Sequence, residues 1–326
     1  MGGAFCGTPA LLPSVELRGN VATLMSTGRS LGMPVVEWCL RDAPGTAAAI
    51  GAACQRTGYF TLRNHGVSAE LLALTFEETR TFYALSDEQK GKFNCSASSQ
   101  FLGYRGLGAE KSLMHGGGEA CEQYRIGNIF DTRESHGLVD YYNQPFRRAT
   151  LLFGDMARLG DRLMSLCATG LGVDSTFFDA FMTSPMHRLG LNSYRVGAGR
   201  TIGNTVDIAM TAHIDHAVFT IVAQDEPGLE VLSPDSEWLD VPIDQDALFV
   251  FMGDYAQRWT NGHYRATTHR VREVARDRMS VQYKHRPSYA TVVAALSPFV
   301  DEDRPSRYEP FNTGRQYEGL LQHLLG

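Results

Sequence analysis

Thr211-Ala212-His213-Ile214-Asp215-His216 is the stretch from which the chain is best read, taken together with His269 further along. His213 and Asp215 stand two apart, with Met210, Ile214, Val218 and Phe219 around them. Side chains alternate along a strand with a period of two, so an extended conformation would turn both polar groups to one face, where they can grip one metal ion. His269 lies in Ala266-Thr267-Thr268-His269-Arg270-Val271, a second β-favouring run placed to supply a third ligand from a neighbouring strand. Two imidazoles and one carboxylate, with further coordination positions open, make the facial donor set of a non-haem Fe(II) centre. A His-x-Asp on its own is a weak sign, and its weight comes from the sequence around it.

Outward from that stretch the texture is β. Short apolar segments at Arg188–Arg195, Met210–Asp215, Val218–Ala223, Leu229–Leu232, Trp238–Val241, Ala247–Met252, Thr267–Val271 and Met279–Lys284 are separated by turn residues. That spacing predicts a closed or sandwiched antiparallel sheet, a jelly roll. Upstream, Met33–Trp38 and Tyr59–Leu62 read as strands and Val15–Arg18 as a short edge strand. Helices are expected from Asp42 to Arg56, after Ser68, after Ser86, and from Asn143 through Leu166 to Gly170. Phe177, Phe178 and Phe181 mark a shorter helix, and Tyr317, Leu320, Leu321 and Leu324 a terminal one. The expected class is mainly β with bracing helices around a double-stranded β-helix core. One domain spans 1–326: a mostly helical support with short strands over 1–187, the core over 188–287, and a C-terminal extension over 288–326.

Composition narrows the function. A hydrophobic fraction of 43% and a charged fraction of 20% are those of an ordinary globule. A formal charge of -6 provides no basic field for a phosphate backbone, so no nucleic-acid partner is expected. The cysteines at 6, 39, 54, 95, 121 and 167 form no Cys-x-x-Cys, which fits a reducing compartment and argues against a disulfide framework. No leader pattern and no apolar run of membrane-spanning length is apparent. The expectation is a cytoplasmic protein without a membrane partner, monomeric or weakly self-associating, acting on a small molecule.

Further motifs sharpen this. Arg278 and Ser280 are two apart in an apolar run, sharing a face as donors for a carboxylate. Asn192 and Tyr194 form another such pair. With Gly58-Tyr59-Phe60, Asn64-His65-Gly66, the Phe82–Lys90 segment, Gln224-Asp225, Gly253-Asp254, Asn261-Gly262, His269-Arg270-Val271 and His285-Arg286-Pro287, the chain resembles the isopenicillin N synthase-like family of Fe(II)- and 2-oxoglutarate-dependent oxygenases over most of its length. The resemblance implies that His213, Asp215 and His269 bind Fe(II) and form the catalytic centre. It implies that Arg278 and Ser280 hold the distal carboxylate of 2-oxoglutarate, with Tyr194 and Asn192 beside the cosubstrate. Arg195 follows the tyrosine where many relatives carry a proline, which leaves Tyr194 less firmly assigned than Arg278.

The implied reaction consumes O2 and 2-oxoglutarate, yields succinate and CO2, and hydroxylates, desaturates or cyclises a small polar metabolite of natural-product biosynthesis. Two alternatives stand beside it. One is an oxidase like isopenicillin N synthase, which needs no 2-oxoglutarate and turns its Arg-x-Ser pair to a substrate carboxylate. The other is an inactive binding barrel. Substrate contacts are expected from Tyr104, Arg105, Glu122, Tyr124 and Arg125, within a glycine-rich stretch over 101–125 that would act as a lid. For Arg105 the competing reading is a solvated surface group.

Overall fold

The computed structural model describes residues 32–39, 41–96, 100–112, 117–127, 145–198 and 208–325. The strand expected at Val15–Arg18 and the helix start expected at Asn143 lie outside them. In chain order the first elements are β1 (Val35–Glu37), α1 (Ala43–Arg56), β2 (Tyr59–Arg63), α2 (Ala69–Tyr83), α3 (Asp87–Gly91), β3 (Gly103–Arg105), β4 (Glu122–Gly127) and α4 (Arg147–Gly170). The strands β5 (Arg188–Tyr194), β6 (Ile208–His213), β7 (Phe219–Gln224), β8 (Leu229–Leu232), β9 (Trp238–Asp240) and β10 (Ala247–Met252) follow. The chain then runs through α5 (Asp254–Trp259), β11 (His269–Arg272), β12 (Arg278–His285), β13 (Val292–Val293), β14 (Phe311–Asn312) and α6 (Thr313–Leu325).

The helices begin where their capping chemistry dictates. Asp42 Oδ1 accepts from Gly45 N at the start of α1, and Ser68 Oγ accepts from Leu71 N at the start of α2. At α3, Ser86 and Gln89 form a reciprocal capping box. The first amides of α4, at Arg147, Arg148 and Ala149, donate instead to the carboxylate of Glu78 on α2, which ties the two helices together. The helix expected around Phe177–Phe181 shrinks to a single 3-10 turn at Asp179–Phe181.

Two sheets face each other. The larger has the order β1-β2-β10-β7-β12-β5-β4-β3 and the smaller β6-β11-β8-β9. Pleating divides each strand of the larger sheet between two environments. On β10, Leu248, Val250 and Met252 join the helix-covered core, whereas Phe249 and Phe251 turn inward between the sheets. On β12 the outward set is Val281 and Tyr283, and on β5 it is Leu189 and Leu191. The apolar stripe of α4, including Leu152, Met156, Leu159 and Leu163, covers that outer face. Each such fully buried side chain stabilises the fold by roughly 1.5–3 kcal/mol.

This arrangement places the short strands of the N-terminal region, β1, β2, β3 and β4, in the larger sheet. It also corrects the lid. Gly103–Arg105 is a strand paired with β4, and β4 pairs with β5, so both ends of the 101–125 stretch are stitched into the sheet. Gly103 serves close packing, since a Cβ there would sit 2.5 Å from the Phe93 carbonyl oxygen and its φ is +113°. Gly116 lies outside the described residues. No helix among the described residues is long and apolar enough to cross a membrane.

Candidate active site

His213 is the last residue of β6 and His269 the first of β11, and the two are direct partners in the register of the smaller sheet. Their ring centroids are 4.3 Å apart and tilted by 53°. The strand expected through Asp215 stops at His213, so Asp215 rides on the turn that follows rather than on a shared strand face. Its orientation comes from elsewhere: Asp254 N donates to its carbonyl oxygen, and Thr220 Oγ1 on β7 donates to Oδ2 at 2.6 Å. That leaves Oδ1 facing the imidazoles, 3.6 Å from His213 Nε2 and 3.9 Å from His269 Nε2. Ligand atoms of His213, Asp215 and His269 all fall within 4.8 Å of one another.

The donor set fits a divalent metal. His213 Nδ1 is 2.7 Å from the Thr211 carbonyl oxygen, and His269 Nδ1 is 3.2 Å from that of Thr267. A carbonyl only accepts, so each Nδ1 carries the proton and each Nε2 presents a lone pair. Burial and the neighbouring His213 push His269 down to about 3, which keeps it neutral. Burial alone would raise Asp215, but Lys284, His213 and His269 together hold it well below the usual carboxylate range. His213 is pulled the other way, because Asp215 outweighs burial and raises it. Proton and metal therefore compete for His213 Nε2.

A second trio, Asp161, His187 and His285, is also close-set but has the wrong shape. The His187 and His285 rings are stacked at 25° rather than converging, His187 Nδ1 accepts from Arg286 N, and His285 lies flat on Phe219 at 4°. These are packing histidines, and Gly160 on α4 leaves room for one: a Cβ there would meet His285 Nδ1 at 2.5 Å.

Along the inner face of β12 the order is Arg278, Ser280, Gln282, Lys284. Arg278 is opposite Tyr194 on β5 and Ser280 opposite Asn192, so the two predicted pairs meet across one ladder. The Arg278 guanidinium lies 4.8 Å from the Tyr194 ring centroid and donates to Glu226 O at 3.0 Å and to Gln224 Oε1 at 2.8 Å. Its Nη1 is buried with no acceptor. An orphaned guanidinium nitrogen deep between two sheets fits a ligand carboxylate, with the Ser280 hydroxyl beside it. Asn192 Nδ2 donates to Tyr194 Oη at 3.1 Å, so Asn192 holds the tyrosine in place.

A cavity opens beside the trio, with His213 and Asp215 in its wall together with Glu110, Glu119, Lys284 and Tyr317. Of the expected substrate residues it includes Arg125 alone. The alternation of β4 explains two of the others: Gln123 and Arg125 face inward, so Glu122 and Tyr124 face the helices. Tyr124 packs against Phe82 and Phe146, with ring centroids 5.4 and 4.6 Å away. Glu122 forms a buried pair with Lys90 at 2.5 Å, and the Tyr104 hydroxyl donates to it as well. Arg105 is neither a solvated surface group nor part of this cavity. It is buried and donates to Glu110 at 2.9 Å, bracing a carboxylate that does line the cavity.

Sequence reasoning missed Lys284, Arg188, Arg286 and Tyr317, all of which line the cavity. Lys284 was within reach, because it continues the period-two series of Arg278, Ser280 and Gln282. Tyr317 carries no local signal: α6 brings it back over the cavity from the far end of the chain.

Comparison with known proteins agrees with this geometry. Residues 191–287 match the model of the 2OG-Fe(II) oxygenase superfamily, and residues 34–145 match that of the non-haem dioxygenase in morphine synthesis N-terminal region. The chain belongs to the 2OG-Fe(II) oxygenase superfamily. It is a 2-oxoglutarate- and Fe(II)-dependent dioxygenase with the jelly-roll architecture of that superfamily. Among relatives, 2-oxoglutarate-dependent dioxygenase caaD of Aspergillus niger is 27% identical over 282 residues, covering 80% of this chain and 79% of that protein. Gibberellin 2-beta-dioxygenase 1 of Arabidopsis thaliana is 26% identical over 291 residues, covering 86% and 85%. The crystal structure of a full-length Neurospora crassa protein in complex with alpha-KG shares the fold with a TM-score of 0.75 at 22% identity, covering 89% of this chain and 96% of that one.

Proposed function

We propose that His213, Asp215 and His269 hold Fe(II), and that Arg278 and Ser280, with Tyr194 and Asn192 behind them, receive the distal carboxylate of 2-oxoglutarate. The primary substrate is then a small polar metabolite in the cavity over the trio. The observation that carries this reading is the convergence of two imidazole Nε2 lone pairs on Asp215 Oδ1, with each Nδ1 fixed on a backbone carbonyl. When bound, iron supplies the O2 chemistry that oxidises the cosubstrate and substrate. The protein's own residues orient, exclude water and tune charge. Thr220 fixes the Asp215 carboxylate, Phe251 packs on the His269 ring at 4.3 Å, and the apolar inner residues Phe249, Val222 and Val231 keep the interior dry.

Names of relatives such as gibberellin 2-beta-dioxygenase and caaD support a small organic substrate and a place in metabolite biosynthesis. Hydroxylation, desaturation and ring closure all follow from the same centre. The narrower kinship with the isopenicillin N synthase-like branch rests on the motifs quoted above, whereas the relatives named for 2-oxoglutarate favour a cosubstrate-dependent enzyme over an oxidase. A cytoplasmic, monomeric or weakly associating enzyme with no nucleic-acid partner completes the reading. The test is anaerobic titration of the purified protein with Fe(II) and then 2-oxoglutarate, following the visible metal-to-ligand charge-transfer band. One equivalent of each is expected to saturate it, and candidate metabolites are then offered with O2 while succinate is measured. Iron binding without any response to 2-oxoglutarate would overturn the dioxygenase reading in favour of the oxidase.

A further inference from the structure

Beyond the metal-ligand trio, the cavity mouth carries a concentration of cationic side chains that the cosubstrate does not need. Arg125, Arg188, Lys284 and Arg286 all line it. Lys284 and Arg188 are cross-strand partners, six residues along β12 and β5 from the Arg278–Tyr194 pair. Six residues of strand span about 20 Å, so this end of the barrel lies beyond the reach of a 2-oxoglutarate carboxylate held at Arg278.

The described carboxylates around the cavity are already engaged. Glu110 is shared by Arg105 and Arg125, at 2.9 and 2.7 Å. Glu119 accepts from the Thr211 amide and hydroxyl, and Asp215 accepts from Lys284. Arg286 is 4% exposed, yet its Nε and Nη1 meet no acceptor and no described carboxylate forms an ion pair with it. Its guanidinium lies 4.2 Å from the ring centroid of Tyr317, with Arg188 at 5.5 Å from the same ring. A buried guanidinium without a counter-charge is costly unless something else supplies the anion.

We propose that the anion is the substrate: the enzyme acts on a carboxylic acid whose carboxylate is received by Arg286 with Arg188 beside it, against the Tyr317 ring from α6. This rests on the Fe(II)/2-oxoglutarate reading above and specifies its substrate class. A planar guanidinium is the group best shaped for a carboxylate. The behaviour of Tyr317 is consistent with a cationic field: burial would raise its phenol, but Arg188, Arg286 and Arg125 outweigh burial and bring it down to about 7. The unpartnered Nε and Nη1 of Arg286 match a monoanion.

The experiment uses the full-length protein loaded with Fe(II) and saturating 2-oxoglutarate, held without O2. Three acid–amide pairs serve as probes by calorimetry: benzoate and benzamide, phenylacetate and phenylacetamide, decanoate and decanamide. At least one acid is expected to bind ten-fold or more tighter than its amide. Arg286→Gln should bring acid and amide within about three-fold of each other, Arg286→Lys should restore part of the preference, and 2-oxoglutarate affinity should be unchanged in both variants. No acid preference in any pair, or a preference that survives Arg286→Gln, overturns the proposal. Tighter binding of phenyl phosphate than of phenylacetate overturns the carboxylate assignment. If 2-oxoglutarate itself fails to bind the wild-type protein, the cosubstrate reading is what has failed; if it binds and the acids are not preferred, only the substrate class has.

Discussion

Lys284 Nζ lies 2.7 Å from Asp215 Oδ1, the same carboxylate oxygen that faces both imidazole Nε2 atoms of the trio. A resident cation thus occupies the electrostatic position that a metal ion would share. In the iron-free protein it offsets the cost of burying Asp215, which is 2% exposed.

Lys284→Met should accordingly separate two properties that usually move together. Iron-free protein should lose about 2–3 kcal/mol, somewhat less than for a fully buried pair because the Lys284 side chain is 23% exposed. Fe(II) should bind about ten-fold tighter, since a competitor for Oδ1 and a like charge are removed together. Chemical denaturation with and without metal, alongside a chelator competition assay, measures both. Weaker iron binding in this variant would mean that Lys284 supports the metal site rather than competing with it. The sign with pH follows from Asp215, whose folded pKa is depressed. Its stabilising contribution is complete above the ordinary carboxylate range and disappears as pH falls through the folded value.

His213→Ala, Asp215→Ala and His269→Ala should each abolish stoichiometric Fe(II) binding while leaving the far-ultraviolet circular dichroism of the fold intact. The three side chains sit at strand ends and on a turn, not in the α4-covered core. Of the three, Asp215→Ala should be the least stable iron-free protein, because it strands Lys284 and Thr220 Oγ1. Full iron occupancy with undiminished turnover in any of them would remove that residue from the ligand set.

Arg278→Gln should weaken 2-oxoglutarate binding by roughly 2–5 kcal/mol while Fe(II) still binds. The guanidinium stands at the other end of the β12 ladder from Lys284 and touches no residue of the metal-ligand trio. Anaerobic titration of the charge-transfer band gives the affinity directly, and an unchanged value would place the carboxylate clamp elsewhere.

How much of this was legible in the sequence depended on the range of the interactions involved. The Arg278–Ser280 pair and the Asn192–Tyr194 pair were visible because strand alternation is a local property, and the sheet ladder then brings the pairs together. The same alternation puts Arg125 at the cavity and should have removed Glu122 and Tyr124, its neighbours in the opposite phase. Reading the 101–125 stretch as a loop hid that phase, because its glycines fit close packing as well as mobility. Asp215 was found for a reason that does not hold, since the strand stops short of it and Thr220 does the orienting. The cationic mouth was illegible: its members come from β4, β5, β12 and the segment after β12, and two of them, Arg188 and Arg286, meet on a tyrosine of α6.

Tyr317 gives the last prediction, and it needs neither metal nor substrate. Its phenol is brought down to about 7 because Arg188, Arg286 and Arg125 outweigh the effect of burial. An unfolded tyrosine ionises near 10. The folded protein therefore gives up this proton earlier than the unfolded chain does, and the linkage contribution to stability grows as pH rises from about 7 to 10. Below that window it vanishes. Difference absorbance near 295 nm should reveal one phenol titrating around neutrality in the wild-type protein and none in Tyr317→Phe. Urea denaturation at pH 6, 7.5 and 9 should show the wild-type advantage over Tyr317→Phe widening with pH, and a constant gap would mean that the surrounding guanidinium groups are screened by solvent. Arg286→Gln should move the transition upward without removing it, because Arg188 and Arg125 remain beside the ring.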